Sequence, residues 1–562
     1  MNRRKKCEGA TAIPRAIPRA VALAAALVVM APAVFAADEV DANTGNDVKV
    51  TWNNTFKYGA GFRIRDQDSA LLRDPNADDG DRNFNKGLIS NRIELLSELD
   101  AVTRNGFGAR VSALGWYDTA YNRNNENPGF AGGAFPNQTS VAYNQFTRST
   151  RNLSGRKAEL RDAFVFGKAD ISGMSLTGRL GQHALVWGES LFFANNAIAG
   201  GQSAFDVSRL LADPTAQAKE FVLPVPQISA QFQVSPSLSL GAYYQFRFKP
   251  NRLPAVGSYF SSSDTAVDGA ENLLLPTGLA SREADQKPSN SGQFGLQAKW
   301  SLGDTDLGVY AIRFHDKSFQ QVSRLGLAPA PFGILPTSYY LTYNEATTAQ
   351  GVSASRSFGS INVAAEASVR QNQALASAGH AVDFTNIPFI PGPVNTNNST
   401  NPGYAVGKTA HINVSTLWSL EPSALWREAN FVGEIAWNRR LSCDVNCAAL
   451  DPNATRNAVS MRAVFEPSYR QVLPGLDLSL PIGLGYTPKG SRSSLGPGFP
   501  PESGGDFTLG LNGVYEQKWR FSLAYTHYFG KAGTLLDANQ SFSYQQTLRD
   551  RDFLALSVRR SF

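Results

Sequence analysis

The densest group of potential cation ligands in the chain is Asp74, Asn76, Asp78, Asp79 and Asp81, gathered around Gly80. Oxygen ligands packed this closely suit a hard cation such as Ca²⁺. The spacing is not that of an EF-hand. Counted from Asp74, the sixth position is Asp79 where Gly is needed, and the twelfth is Asn85 in place of Glu. The alternative is an acidic solvated loop folded back onto Arg82 or Arg92. Five histidines, His183, His315, His380, His411 and His527, raise the question of hydrolysis. His183 and Glu189 flank Trp187, and His315 neighbours Asp316. A Ser–His or Asp–His pair would activate a nucleophile, but none of the five sits in a recognisable nucleophile motif. The chain is therefore not expected to be an enzyme, and no nucleotide or redox cofactor is expected.

Charges of both signs form a third set. Arg63, Arg92, Glu94, Glu98, Arg110, Arg179 and Glu189 fall on the polar side of two-faced segments. They are expected to line a lumen and set its field; the alternative is a mesh of internal ion pairs. No ladder of one sign appears, so neither an anion nor a cation preference follows.

The elements that must position these residues are strands. Over Val48–Arg65, Val50, Trp52, Phe56, Tyr58, Ala60, Phe62 and Ile64 share one face, and Asn53, Thr55, Lys57, Arg63 and Arg65 the other. This period of two marks a strand with unlike faces. Its length exceeds the roughly 9–11 residues that cross a bilayer at barrel tilt. Asn105-Gly106 is a hairpin signal. Strand segments recur at 89–101, 107–118, 158–170, 174–187, 226–234, 237–249, 291–302, 306–315, 349–358, 360–370, 407–420, 429–440, 457–469, 476–486, 505–515, 519–529 and 551–562, with alternation clear in Ala410–Trp418, Leu476–Tyr486 and Trp519–Tyr525 and poor in 158–170 and 349–358. With the first strand this predicts 18 strands, 16 being the next count. Short and long connections alternate strictly, the arrangement of outer-membrane barrels with short periplasmic turns and long external loops. The segment 188–226 differs from the other long loops. Asp213-Pro214 is a start signal, Ala204–Leu211 and Pro214–Phe221 read as short helices, and Phe192, Phe193, Phe205, Leu210 and Leu211 supply apolar matter. It is read as an inward-folded constriction or plug, or else an ordinary external loop.

The N-terminus reads as a Sec-type signal peptide over 1–36. Arg3, Arg4, Lys5, Lys6, Arg15 and Arg19 precede an apolar run, and Val34-Phe35-Ala36 fits a cleavage site. An uncleaved anchor is the alternative. Of 53 basic and 47 acidic residues, removing those six and Glu8 leaves 47 and 46, a net charge of +1. The basic balance thus belongs to the targeting segment and gives no case for nucleic-acid binding. No later stretch is long and apolar enough for a membrane helix. A membrane protein without such helices must be a closed barrel, because lipid offers no partner to open backbone groups. Residues 37–562 are accordingly expected to form an all-β, antiparallel transmembrane barrel in outer-membrane lipid. Cys443 and Cys447 are the cysteines left after cleavage, and export to an oxidising compartment permits a disulfide within CDVNC. A metal site there would lack any nearby His.

The tail, with Leu554, Leu556, Val558 and a terminal Phe562, resembles the C-terminal signal that barrel-assembly machinery reads in bacterial outer-membrane proteins. LLRDPNADDGDRNFNKGLISNRIELLSELD (71–100), GRLGQHALVWGES (178–190) and KEFVLPVPQISAQF (219–232) resemble the Gram-negative outer-membrane family catalogued as domain of unknown function 1302. That resemblance implies a barrel and a link to export or uptake of hydrophobic compounds, alongside a periplasmic carrier and an inner-membrane pump. The expected function is an outer-membrane channel for a hydrophobic or amphipathic compound. The alternatives are a general porin for small polar solutes and a non-transporting surface protein.

Overall fold

The computed structural model describes residues 48–129, 136–328, 331, 333–387, 396–496 and 498–562. The signal-peptide reading of 1–36 lies outside them. Eighteen strands follow one another around a closed antiparallel barrel. They are β1 Val48–Arg63, β2 Gly87–Thr103, β3 Gly108–Asp118, β4 Arg156–Ile171, β5 Met174–His183, β6 Val225–Ser235, β7 Leu238–Gln245, β8 Gln293–Leu302 and β9 Thr305–Phe314. There follow β10 Thr347–Phe358, β11 Ile361–Ala374, β12 Val406–Leu420, β13 Glu428–Val445 and β14 Asn457–Leu473. β15 has two pieces, Leu476–Ser479 and Ile482–Lys489, then come β16 Gly504–Tyr515, β17 Trp519–Phe529 and β18 Phe553–Ser561. Each strand pairs with its neighbours in sequence. β15 is split because Pro481 follows Leu480 and has no N–H to give the ladder; both pieces still pair with β14 and β16.

The ring closes where β18 meets β1, from Thr55 opposite Ser561 to Arg63 opposite Phe553. Phe562 extends the seam: its N–H donates to the Asn54 carbonyl at 2.9 Å, and the Asn54 N–H donates back at 2.8 Å. Leu554, Leu556 and Val558 face outward there, while Phe553 and Arg559 are buried inside. Arg551, which the alternation assigns to this strand, instead lies in the preceding loop.

The alternation sorts the two faces around the barrel. Leu95, Val111, Val165, Leu180, Leu296, Val309, Val352, Ile435 and Leu523 are exposed on the outer surface. Their in-strand neighbours Glu94, Ser112, Ser353 and Glu434 are buried inside. A continuous apolar belt of this kind needs a lipid environment. Trp52, Phe107, Trp300, Phe358 and Trp418 lie on that surface close to the short connections, as an interfacial aromatic girdle does. Gly106 makes the β2–β3 turn with φ +79°, which a side chain would disfavour.

The long connections carry structure that alternation does not reveal. Asn272–Leu275, Gly278–Arg282, Gln320–Ala328, Gly333–Thr342 and Val382–Asp383 form a separate five-stranded sheet over the long-loop end. Cys443 and Cys447 are disulfide-bonded, Cα atoms 5.8 Å apart, where β13 enters its external loop.

The outward face yields a quantitative expectation. Leu523 sits between Leu511 and Leu556 in the register. Leu523→Arg should lower the barrel's unfolding free energy by about 2–4 kcal/mol, the cost of a basic side chain near the bilayer midplane. Reversible unfolding in phospholipid vesicles measures this, and no loss would place that face away from lipid.

Candidate functional site

The connection from His183 to Val225 turns into the barrel. Its helices are α1 Ala199–Gln202, α2 Val207–Ala212 and α3 Ala218–Phe221. The spacing places the second of these at 204–211, but Ala204–Phe205 pairs as a strand with Val222–Leu223, which delays the helix. Asp206 then caps α2 by accepting from the Arg209 N–H at 3.1 Å. Glu220 caps α3 by accepting from the Gln217 N–H at 2.6 Å.

Two wall carboxylates hold the first half of the segment. Glu434 on β13 accepts from the backbone N–H of Leu191 at 3.0 Å, of Phe193 at 3.1 Å, and of Phe192. Glu366 on β11 accepts from Glu189 N–H at 2.8 Å and Ile198 N–H at 2.5 Å. Arg370, on the same strand, donates to the carbonyls of Asn195 at 3.0 Å and Ala197 at 2.7 Å. A carboxylate accepting several N–H groups makes strong charge-assisted bonds, so wall side chains stand in for the helix or sheet these residues lack. Trp187 and Ile198 pack against Tyr243, Tyr310, Ile312 and Phe314.

Ion pairs hold the second half to the opposite wall. Lys57 pairs with Asp213, Glu94 with Arg209 at 2.8 Å, Glu98 with Lys219 at 2.6 Å, and Arg559 with Glu220 at 3.0 Å. Arg252 joins Asp206 at 2.8 Å to Glu159 on β4 at 2.6 Å. Burial works against the Arg209 charge, but Glu94 outweighs it and keeps the guanidinium pKa above its ordinary value. Burial also pushes the Asp213 carboxyl up; Lys57, with Thr215 hydrogen-bonded to Asp213, prevails and holds it below its usual 3.8.

Cavities flank α2. One, of about 110 Å³, is lined by Lys57, Arg92, Glu94, Trp116, Asp118, Tyr259 and Phe260, and by Arg209 of α2. Arg92 lies 4.6 Å and Arg209 5.7 Å from the Trp116 ring centre. The other, of about 410 Å³, is lined by Leu211 of α2 with Arg462, Arg492, Phe499, Asp506 and Tyr544. Both mix aromatic surface with charges of each sign, and α2 stands between them.

The sequence-selected residues fall in several places. Arg92, Glu94, Glu98 and Arg110 line the wall and are joined as Arg92–Glu94 at 2.6 Å and Arg110–Glu98 at 2.5 Å. Arg179 is exposed on the inner face, its guanidinium 5.7 Å from the Phe164 ring. Glu189 belongs to the inward segment, because β5 ends at His183, and it reaches Lys299 at 3.5 Å. Arg63 does not line the lumen: it is buried under the external loops against Asp81 and Asp550. The five oxygen donors around Gly80 do not converge. Asp74 accepts from the Asn76 N–H, the Asn76 side chain bonds Leu274 and Asn137, and Asp81 pairs with Arg63. Asp78 and Asp79 alone come together, and with Asp264 from another loop. Gly80 permits this because the Ser258 and Ser261 carbonyls would lie 2.7 and 2.6 Å from any Cβ there. His183 bonds Ser229 at 2.8 Å, and His411 is shared between Thr409 and Asn196. Glu366 and Glu434 fall at inward positions of their strands, but nothing in the pattern marks them as anchors, since their partners are backbone amides far along the chain.

The model of the family described as "Protein of unknown function (DUF1302)" matches residues 17–562. No curated protein matches the chain. Among solved structures, OccAB1 of Acinetobacter baumannii is similar at 9% identity and a TM-score of 0.43, covering 93% of this chain and 99% of that one. OccAB4 of the same organism aligns at 10% identity and 0.41, covering 92% and 98%. OpdK of Pseudomonas aeruginosa, solved with vanillate, aligns at 9% identity and 0.39, covering 91% and 98%.

Glu434 offers a direct check on the anchoring. Glu434→Ala leaves three N–H groups without their acceptor and should lower the local opening free energy by about 3 kcal/mol or more. Amide exchange over 191–198 should then be roughly a hundredfold faster than in the parent. Unchanged exchange there would mean that the carboxylate does not hold the segment.

Proposed function

We propose that this chain, which belongs to the DUF1302 family, is a gated outer-membrane channel for an amphipathic or hydrophobic compound. One observation carries the reading: an inward segment divides the lumen, and its α2 half is held to the wall by ion pairs that can be exchanged, with a cavity on either side of α2. A plug meant to be permanent would gain more from apolar packing than from charges whose desolvation offsets much of their attraction. Displacing α2 requires parting Lys57–Asp213 and Arg209–Glu94 and joins the cavities. The lining favours a solute with an aromatic or alkyl body and a polar end, which Trp116, Tyr259 and Phe260 would cover while the neighbouring charges meet its head.

Movement through such a pore is passive, with no cofactor and no chemical step. Any directional drive comes from a periplasmic carrier and an inner-membrane pump, and the chain reaches its membrane by Sec-type export and barrel-assembly machinery. The general-porin alternative requires a wide, open lumen at rest.

Planar-bilayer current decides between these. The parent protein should show small, infrequent openings, and the double substitution Arg209→Ala with Asp213→Ala should raise mean conductance at least severalfold. A parent that is steadily open would establish the porin alternative, and no current from either protein would refute transport. Acid should act on the same contact. Because the Asp213 pKa is depressed, its contribution to docking is complete above about pH 4 and lost as pH falls through the lower folded value. Conductance should therefore be equal at pH 7 and pH 5 and rise below about pH 4.

A further inference from the structure

The external loops bury neighbouring charge clusters that are balanced differently. In the first, Arg63 pairs with Asp81 at 2.7 Å and Asp550 at 3.0 Å, and Arg551 with the same carboxylates at 3.2 and 3.3 Å. Two cations there face two anions. In the second, Asp78, Asp79 and Asp264 present carboxylate oxygens within 4.8 Å of one another, all of them buried. The ion pair described there is Arg82 with Asp78 Oδ2, at 2.5 Å.

The second cluster also carries orphaned atoms. Asp78 Oδ1 and Asp264 Oδ1 have no hydrogen-bond partner among the described residues, and their residues are 1% and 0% exposed. A buried carboxylate oxygen without a donor is strongly disfavoured unless a proton or a cation meets it.

Backbone contacts hold the three acids in place from two separate connections. Asp264 Oδ2 accepts from the Asp79 N–H at 3.0 Å, and the Asp264 N–H donates to the Asn76 carbonyl at 2.8 Å. The β1–β2 and β7–β8 connections thus meet at this point.

We propose that Asp78, Asp79 and Asp264 form a divalent-cation site that clasps these two external loops together. Carboxylate oxygens without nitrogen or sulfur donors select a hard ion. Three carboxylates, each able to bind through one oxygen or two, suit the irregular, high coordination of Ca²⁺ better than the strict octahedron of Mg²⁺, which keeps several waters. The site is separate from the lumen, so it stands or falls independently of the channel reading.

The test uses the full chain in detergent, stripped of metal with EDTA, and CaCl₂ as the probe. Calorimetric titration should give one Ca²⁺ per chain with Kd at or below about 1 mM, the range of external calcium modules. Asp264→Asn should weaken binding at least tenfold. In the unaltered protein, Ca²⁺ should slow amide exchange over 76–83 and 258–266 at least tenfold, and MgCl₂ at equal concentration should slow it less. No calcium-dependent heat and no change in exchange would overturn the site and leave protonation as what satisfies the carboxylates. So would unchanged affinity in a folded Asp264→Asn protein. If that variant fails to fold, the exchange comparison on the unaltered chain decides alone.

Discussion

Lipid can neither donate nor accept a hydrogen bond, so every backbone group in the membrane must find its partner within the chain. The seam between β1 and β18 is where this demand is met or fails. Seventeen of the strand junctions join neighbours along the sequence, each closed by a connection that makes its pairing local. The eighteenth joins the two ends of the described chain, and its register, carried as far as the Phe562–Asn54 exchange, turns a sheet with two open edges into a ring with none. Only once the ring is closed do the outward Leu, Val and Ile side chains have a common lipid-facing surface, and only then is there an interior to fill.

That interior carries many polar and charged side chains, and polar side chains in a narrow space must find partners. The inward segment supplies many of them. Glu434 and Glu366 satisfy backbone amides that have no secondary structure of their own, while Lys57, Glu94, Glu98 and Arg559 meet charges of opposite sign on α2 and α3 and their flanks. The same pairs that order the segment set the resistance to its displacement. A lumen built on apolar packing would be more rigid, and one without the segment would be wide and open. The ion-paired arrangement lies between these.

The barrel was legible because its rule is local. A period of two over about ten residues shows which way each side chain points, and the alternation of short and long connections orients the strands relative to one another. Where the rule failed, a nearby tertiary contact had overridden it: Arg551 falls in step with the inward positions of β18 yet is drawn into the knot with Asp81, and Glu189 follows a strand that stops six residues earlier at His183. The acid-rich stretch drew attention by composition, but its five donors serve different masters. Asp264, which joins two of them, sits in a Ser-rich loop with no spacing to link it to Asp78. Long-range partners of this kind leave no periodic trace, and the same holds for the external five-stranded sheet.

Tryptophan fluorescence tests the closed, filled cylinder most directly, because the two environments it distinguishes each hold a suitable ring. Trp52 lies on the outer surface, 57% exposed, and Trp187 is buried inside against Tyr243 at 5.0 Å. In vesicles of lipid with brominated acyl chains, a protein keeping only Trp52 should be strongly quenched. One keeping only Trp187 should be quenched neither by the brominated chains nor by iodide in the aqueous phase. Quenching of Trp187 by either agent, or a Trp52 signal indifferent to the brominated chains, would contradict a sealed barrel with an ordered segment in its lumen.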